Sequence, residues 1–198
     1  MTHQWPAHGS KDPRWHIGWP RSHQQPSFFA PLCQSLHFLI ESPWPNGVYN
    51  CAVRLTSPDF SAGGAIPIKH TCDGLDVSPA LRWDEVPEGT KSFALTLTDP
   101  DAPMEWIHWL ICDLPAGARM ITEGGPVPTG AKEIRNDFGK EAYGGPCPPS
   151  GEHRYYFTLY ALDTEHLLAR KENFLELCKK HILEKVVLMG RYRRGSEG

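Results

Sequence analysis

Between Ser92 and Thr98 apolar and polar side chains alternate, placing Phe93, Leu95 and Leu97 on one face. This period-2 pattern predicts a half-buried strand, which Asp99-Pro100 then ends. Trp106 to Cys112 is apolar on both faces apart from His108, as in a strand covered on both sides. His153 to Leu162 predicts a third strand, dense in the aromatic residues that suit a pleated surface. Gly124 to Gly130 and Tyr143 to Gly151 are rich in Gly and Pro and read as connections. Near the C-terminus Phe174, Leu177, Cys178, His181 and Ile182 recur at i, i+3, i+4, i+7 and i+8, predicting an amphipathic helix lying on a sheet. Asn173 is placed to cap its start. Val186 to Tyr192 predicts a short closing strand, and Arg191, Arg193 and Arg194 a solvated end. The pattern as a whole implies a mainly β protein, a sandwich with a few peripheral helices.

Residues 1–50 break this regularity. They hold seven of the nineteen prolines, four of the seven tryptophans and five of the ten histidines, but only five of the forty-three charged residues. Their apolar side chains follow no period of 2 or 3.6, so this stretch is expected to be a disordered N-terminal extension or a misassigned start, with 51–198 as the folded domain. The alternative reading is an interaction arm that uses Trp and Pro. No fixed-period repeat runs through the chain.

A chain of 198 residues is long enough to bury a core without metals or disulfides. Its formal net charge of -3 argues against a broad basic surface, so nucleic acid is not an expected partner. Pro31 to Ile40 is too short to span a bilayer and is interrupted by Gln34, Ser35 and His37, so no transmembrane segment is expected. The N-terminus lacks a basic cluster followed by an apolar run, and a cytoplasmic location is therefore expected. Cysteines at 33, 51, 72, 112, 147 and 178 form no C-x-x-C pair, which argues against a zinc knuckle or thioredoxin-type motif; reduced thiols are the default in that compartment.

Three polar groupings sit where a plain core would place aliphatics. Asp99-Pro100-Asp101-Ala102-Pro103 holds two carboxyl groups in a turn stiffened by proline. His108 lies between Trp106 and Trp109 in an apolar strand. In Gly151-Glu152-His153-Arg154-Tyr155, alternation puts His153 and Tyr155 on one face, so two imidazoles and a phenol can converge. Taken singly, each has an ordinary structural explanation: a turn-forming Asp, a hydrogen-bonded core His, a core Tyr. Their joint occurrence points to a site.

The ordered set D-P-D-A-P (99–103), H-W (108–109) and Y-G-G-P-C-P-P-S-G-E-H-R-Y (143–155) resembles the signature of the phosphatidylethanolamine-binding proteins, also known as Raf-kinase-inhibitor-like proteins. T-C-D-G (71–74), S-P-A-L-R-W (78–83), L-Y-A-L-D (159–163) and L-M-G-R-Y (188–192) bring it nearest to the bacterial branch. Several motifs in collinear order are far more specific than one, and they cover roughly 55 to 192. The resemblance implies a two-sheet β-sandwich with a few peripheral helices, one near the C-terminus, and a small anion pocket at one end. Carried over residue by residue, the pocket uses Asp99, Asp101, His108, Pro148, Pro149, His153 and Tyr155. It implies a phosphate- or carboxylate-bearing ligand such as a phospholipid head group, and a kinase or serine protease as protein partner. No cofactor or metal is expected, and ligand binding is expected in place of catalysis. Cys72 and Cys147 belong to motifs that this branch places near the pocket, so they either bridge or stand as two reduced thiols. Two departures are Ala80 in S-P-A and Ile134-Arg135 before N-D-F-G; Arg135 either adds a cation to the pocket or sits on the surface.

The chemistry of these side chains is compatible with an anion. A protonated histidine donates from both ring nitrogens and Tyr155 adds a hydroxyl, whereas an aspartate facing an anion repels it. Asp99 or Asp101 must then orient a histidine or share a proton with the ligand. Binding is expected to strengthen when His108 and His153 are protonated. Pro148 and Pro149 offer a rigid apolar wall. The alternative is an enzyme built on the same pocket: a hydrolase using Ser150 and His153, although no G-x-S-x-G elbow is present, or a metal-dependent enzyme using Asp101, His108 and His153.

Overall fold

The structure, a computed structural model, describes residues 52–195. The expectations for residues 1–50 lie outside the described residues. Strands β1 (Arg54–Thr56), β2 (Leu81–Asp84) and β5 (Met120–Ile121) form a small antiparallel sheet in the order β1-β2-β5. Strands β3 (Ser92–Asp99), β4 (Trp106–Pro115), β6 (Lys132–Ile134), β7 (Glu152–Leu162) and β8 (Ile182–Arg193) form a larger antiparallel sheet in the order β6-β4-β3-β7-β8. One eight-residue helix, α1 (Phe174–His181), and two short 3-10 turns complete the described elements. This is the expected two-sheet, mainly β architecture.

The main core is shared by the two sheets. Leu55, Leu81, Trp83 and Ile121 of the small sheet pack with Phe93, Leu95, Leu97, Trp109, Ile111, Tyr155, Phe157 and Leu159 of the large one. The odd-numbered positions of β3 and β7 therefore point inward, as alternation requires. The expectation of a half-buried β3 needs correction, because the even-numbered face is covered too. Ala94 joins Leu110, Cys112, Leu162, Leu167, Phe174 and Cys178 in a second buried cluster, and Thr96 is also buried. A central strand flanked by β4 and β7, with α1 against its other face, has no solvent side.

Three local expectations are refined. Ile182 begins β8 instead of ending the helix, so the closing strand runs twelve residues. Asn173 precedes α1 but does not cap it; its Oδ1 accepts a hydrogen bond from the Arg170 amide at 2.6 Å. Arg194 is not merely a solvated end, since its guanidinium holds Asp73 at 2.7 Å.

A break in strand register positions the site. Leu97 pairs with Trp109 and Thr98 pairs with Ile107, which leaves His108 as the extra residue of a β-bulge. Without the bulge, parity would turn His108 to the face of Leu110 and Cys112. A bulge bends the strand and re-aims a side chain, and His108 meets Tyr155 of the inner face, with ring centroids 5.3 Å apart.

Candidate functional site

Asp99 closes β3 and is almost fully buried. Its Oδ1 accepts hydrogen bonds from the backbone amides of Asp101 (2.9 Å) and Ala102 (3.2 Å), the local bonding that makes Asp a turn former. Its Oδ2 accepts a hydrogen bond from His153 Nδ1 at 2.7 Å. With Nδ1 donating, the Nε2 of His153 is left for other partners. Asp99 thus orients a histidine, one of the two roles open to a carboxyl group beside an anion.

His108 is held from three sides. Its Nδ1 lies 2.8 Å from the Gly144 carbonyl, to which it must donate. Its own carbonyl accepts hydrogen bonds from Asn136 Nδ2 (2.8 Å) and the Gly144 amide (3.2 Å). Phe138 stands edge-on to its ring at 5.2 Å. Burial lowers the His108 pKa below the usual imidazole value, against the opposing pull of the Gly144 carbonyl and the Asp99 charge. The neutral ring then carries its hydrogen on Nδ1 and presents a lone pair at Nε2. Burial thus works against the protonated His108 donor that the sequence leads one to expect.

Tyr155 supplies the third group. Its ring is fully buried and its hydroxyl has no hydrogen-bond partner. Burial, then the Asp99 charge, hold its ionisation well above the ordinary phenol range, while the nearby Cys147 backbone pulls the other way. Asp99 and the Cys147 backbone are near enough to bear on the hydroxyl, yet neither completes a hydrogen bond with it.

The loop after β6 carries Pro148 and Pro149, the residues expected to form the wall. A Cys72–Cys147 disulfide, with Cα atoms 5.4 Å apart, decides between the two open readings of these thiols. Among the described residues Cys112 and Cys178 are free, and burial pushes both thiols up to about 12. Tyr143 donates its hydroxyl hydrogen to the His70 carbonyl at 2.7 Å, and the Gly145 amide donates to Asp76 Oδ1 at 2.6 Å. A Cβ at Gly145 would lie 2.4 Å from the His70 carbonyl oxygen, so this close approach requires glycine. Pro148 is buried and Pro149 exposed at the end of the loop.

The comparisons with known proteins match this fold and order of motifs. The family model described as phosphatidylethanolamine-binding protein matches residues 56–193. The chain belongs to the phosphatidylethanolamine-binding protein family. A UPF0098 protein of Methanothermobacter thermautotrophicus is 46% identical over 151 residues, covering 72% of this chain and 100% of the relative. The crystal structure of Escherichia coli YbcL, described as a new member of the mammalian PEBP family, superposes with a TM-score of 0.70 at 33% identity, over 73% of this chain and 100% of YbcL. CT736 of Chlamydia trachomatis, described as a putative phosphatidylethanolamine-binding protein homolog, gives 0.68 at 38% identity over 73% of this chain and 99% of its own.

Within this family member, Asp99, His108, His153 and Tyr155 gather at one end of the inner face, while Asp101 stands apart. Both oxygens of Asp101 are taken by Arg154, through the backbone amide (2.8 Å), Nε (2.9 Å) and Nη2 (2.6 Å). That pairing holds its carboxyl down to about 2. Asp101 fastens the turn to β7 and is not free to meet a ligand in this arrangement. Arg135 is exposed and lines a separate groove of about 580 Å³. Among the described residues, Asp101, His108 and His153 do not bring three ligand atoms within 4.8 Å of one another. Ser150 is exposed on the loop. Gly144, Asn136 and Phe138 lie in the motifs Y-G-G and N-D-F-G, but nothing in those motifs signals that they hold His108. No described helix is long and apolar enough to cross a membrane.

Proposed function

We propose that this protein binds a small phosphate- or carboxylate-bearing ligand, free or as a phospholipid head group, at Tyr155, His108 and the Asp99–His153 pair, without transforming it. The observation that carries this reading is the buried Tyr155 hydroxyl with no hydrogen-bond partner. Such a group is costly to leave unsatisfied, and a ligand oxygen would satisfy it. Asp99 keeps the Nδ1–H of His153, which leaves its Nε2 for the ligand. Neutral His108 offers a lone pair and so suits a ligand that carries both acceptor oxygens and one O–H. A singly protonated phosphate or phosphomonoester meets that pattern better than a carboxylate.

The non-catalytic reading rests on Ser150, which is exposed and lies outside any G-x-S-x-G elbow. Modulation of a kinase or serine protease remains part of the proposal through family resemblance, and nothing in the site's geometry selects such a partner. The cytoplasmic placement meets a counter-observation in the Cys72–Cys147 bridge, because structural disulfides persist mainly in oxidising compartments.

Calorimetric titration of the full chain near pH 6 with inorganic phosphate, O-phosphoethanolamine and acetate tests the function. Both phosphates are expected to bind, and acetate more weakly. Tyr155→Phe removes one hydrogen bond of about 0.5–1.5 kcal/mol and should weaken phosphate binding about 2- to 10-fold. An absence of phosphate binding, or equal affinity in the variant, overturns the assignment.

A further inference from the structure

Near the Cys72–Cys147 bridge, a second set of side chains is separate from the residues of the proposed anion site. His70 is fully buried. Its Nδ1 lies 2.9 Å from the Val77 carbonyl and donates to it, leaving the Nε2 lone pair free. That Nε2 is buried without a hydrogen-bond partner and stands 3.6 Å from Asp59 Oδ2. Glu123 completes the group: one ligand atom from each of Asp59, His70 and Glu123 lies within 4.8 Å of the other two. A neutral imidazole nitrogen aimed at a carboxylate oxygen is an acceptor facing an acceptor. Something with positive charge must stand between them, or the imidazole must take a second proton.

We propose that Asp59, His70 and Glu123 form a site for a divalent transition-metal ion, zinc by the chemistry of its donors. Zinc takes His nitrogen and Asp or Glu oxygen at about 2.0–2.2 Å, which sets neighbouring ligand atoms about 3.3–3.6 Å apart in a tetrahedron. The spacing of His70 and Asp59 already fits. Glu123 is exposed, and its side chain can close the remaining distance once its ion pair with Lys69 opens. The supporting contacts are those of a metal-binding histidine and carboxylate: a backbone carbonyl fixes the His70 ring, and the Ala80 amide donates to Asp59 Oδ2 at 2.8 Å. The backbone is also anchored, by the Tyr143 hydroxyl on the His70 carbonyl and by the nearby disulfide at Cys72.

Lys69 is the built-in competitor. Its ammonium spans the same two carboxylates, 3.3 Å from Asp59 Oδ1 and 2.9 Å from Glu123 Oε2. It sits on a flexible, partly exposed stem and can withdraw when a doubly charged ion arrives. The sharp consequence is that removing this lysine should tighten metal binding, whereas removing a ligand should weaken it.

The test is calorimetric titration of the full chain with ZnCl2 in chelator-free buffer, with Co2+ absorption as a spectroscopic check on the ligand field. Five histidines at positions 3, 8, 16, 23 and 37 also offer nitrogen donors, so the variants decide the location. The expected result is one tight equivalent of Zn2+ in the wild type, weakened about tenfold or more in Glu123→Gln and Asp59→Asn, and strengthened in Lys69→Ala. Glu123 and Lys69 are solvent-accessible, so these two variants keep the fold even where a His70 substitution does not. Absence of a one-equivalent Zn2+ site, or an affinity unchanged in Glu123→Gln, overturns the proposal. Phosphate titration of Glu123→Gln should be unaltered, which separates this site from the anion pocket.

Discussion

Replacing Tyr155 with Phe should stabilise the ligand-free protein while weakening ligand binding. The ring is fully buried and packs edge-on against His108 at 5.3 Å, and Phe preserves that volume and contact. What is lost is a hydroxyl that makes no hydrogen bond. A buried polar group without a partner costs about 1–3 kcal/mol, so its removal should stabilise the protein by about 1 kcal/mol. For a domain of this size that corresponds to roughly 2–4 °C in Tm. Urea denaturation and thermal melts in phosphate-free buffer measure the first effect. The second appears as a reversal: added phosphate raises the wild-type Tm by mass action, and raises the variant's less. A destabilisation of the ligand-free variant by more than about 0.5 kcal/mol would show that the hydroxyl is already satisfied, and would remove the observation on which the functional reading stands.

Two further outcomes follow from the same geometry. The Cys72–Cys147 bridge closes a loop with a sequence separation of 75, so reduction, or the Cys72→Ala/Cys147→Ala pair, should cost about 2–4 kcal/mol through chain entropy; equal urea midpoints with and without reductant would refute this. Because burial lowers the His108 pKa below 6.5 in the folded state, the unfolded chain takes up that proton first. Stability is then full above about pH 6.5 and declines as pH falls toward the folded value. Melts at pH 7 and pH 5 should show a smaller acid loss in His108→Gln than in the wild type, and an equal loss would refute the buried neutral ring.

The large sheet was legible because its strands carry long apolar runs, and the helix because Phe174 and Cys178 fall on one buried stripe. The second covered face of β3 was not legible. Ala94 and Thr96 give no apolar signal of their own, and what covers them includes α1, some eighty residues further along the chain. Strands β1, β5 and β6, of two or three residues, are too short to show any period. The site residues were legible as types, through motif order, but their roles were not. Alternation alone sends His108 to the wrong face, and only the one-residue slip opposite Leu97 and Thr98 brings it to Tyr155. The tautomer of its ring depends on a carbonyl thirty-six residues away, which no local pattern encodes.

The two aspartates of D-P-D show why a motif is not yet a mechanism. Asp99 and Asp101 are chemically identical and two residues apart, yet the turn directs one carboxyl group inward and the other to the surface. Inside, Asp99 spends one oxygen on the turn's own amides and the other on His153, so the turn and the histidine share one anchor. Outside, Asp101 ties the same turn to β7 through Arg154, where solvent screening keeps the ion pair weak but its three hydrogen bonds fix direction. An incoming anion therefore meets His153, Tyr155 and the loop before any free carboxylate oxygen. The repulsion that two acidic residues would bring to an anion pocket is avoided because hydrogen-bond donors of the protein already occupy all four oxygens.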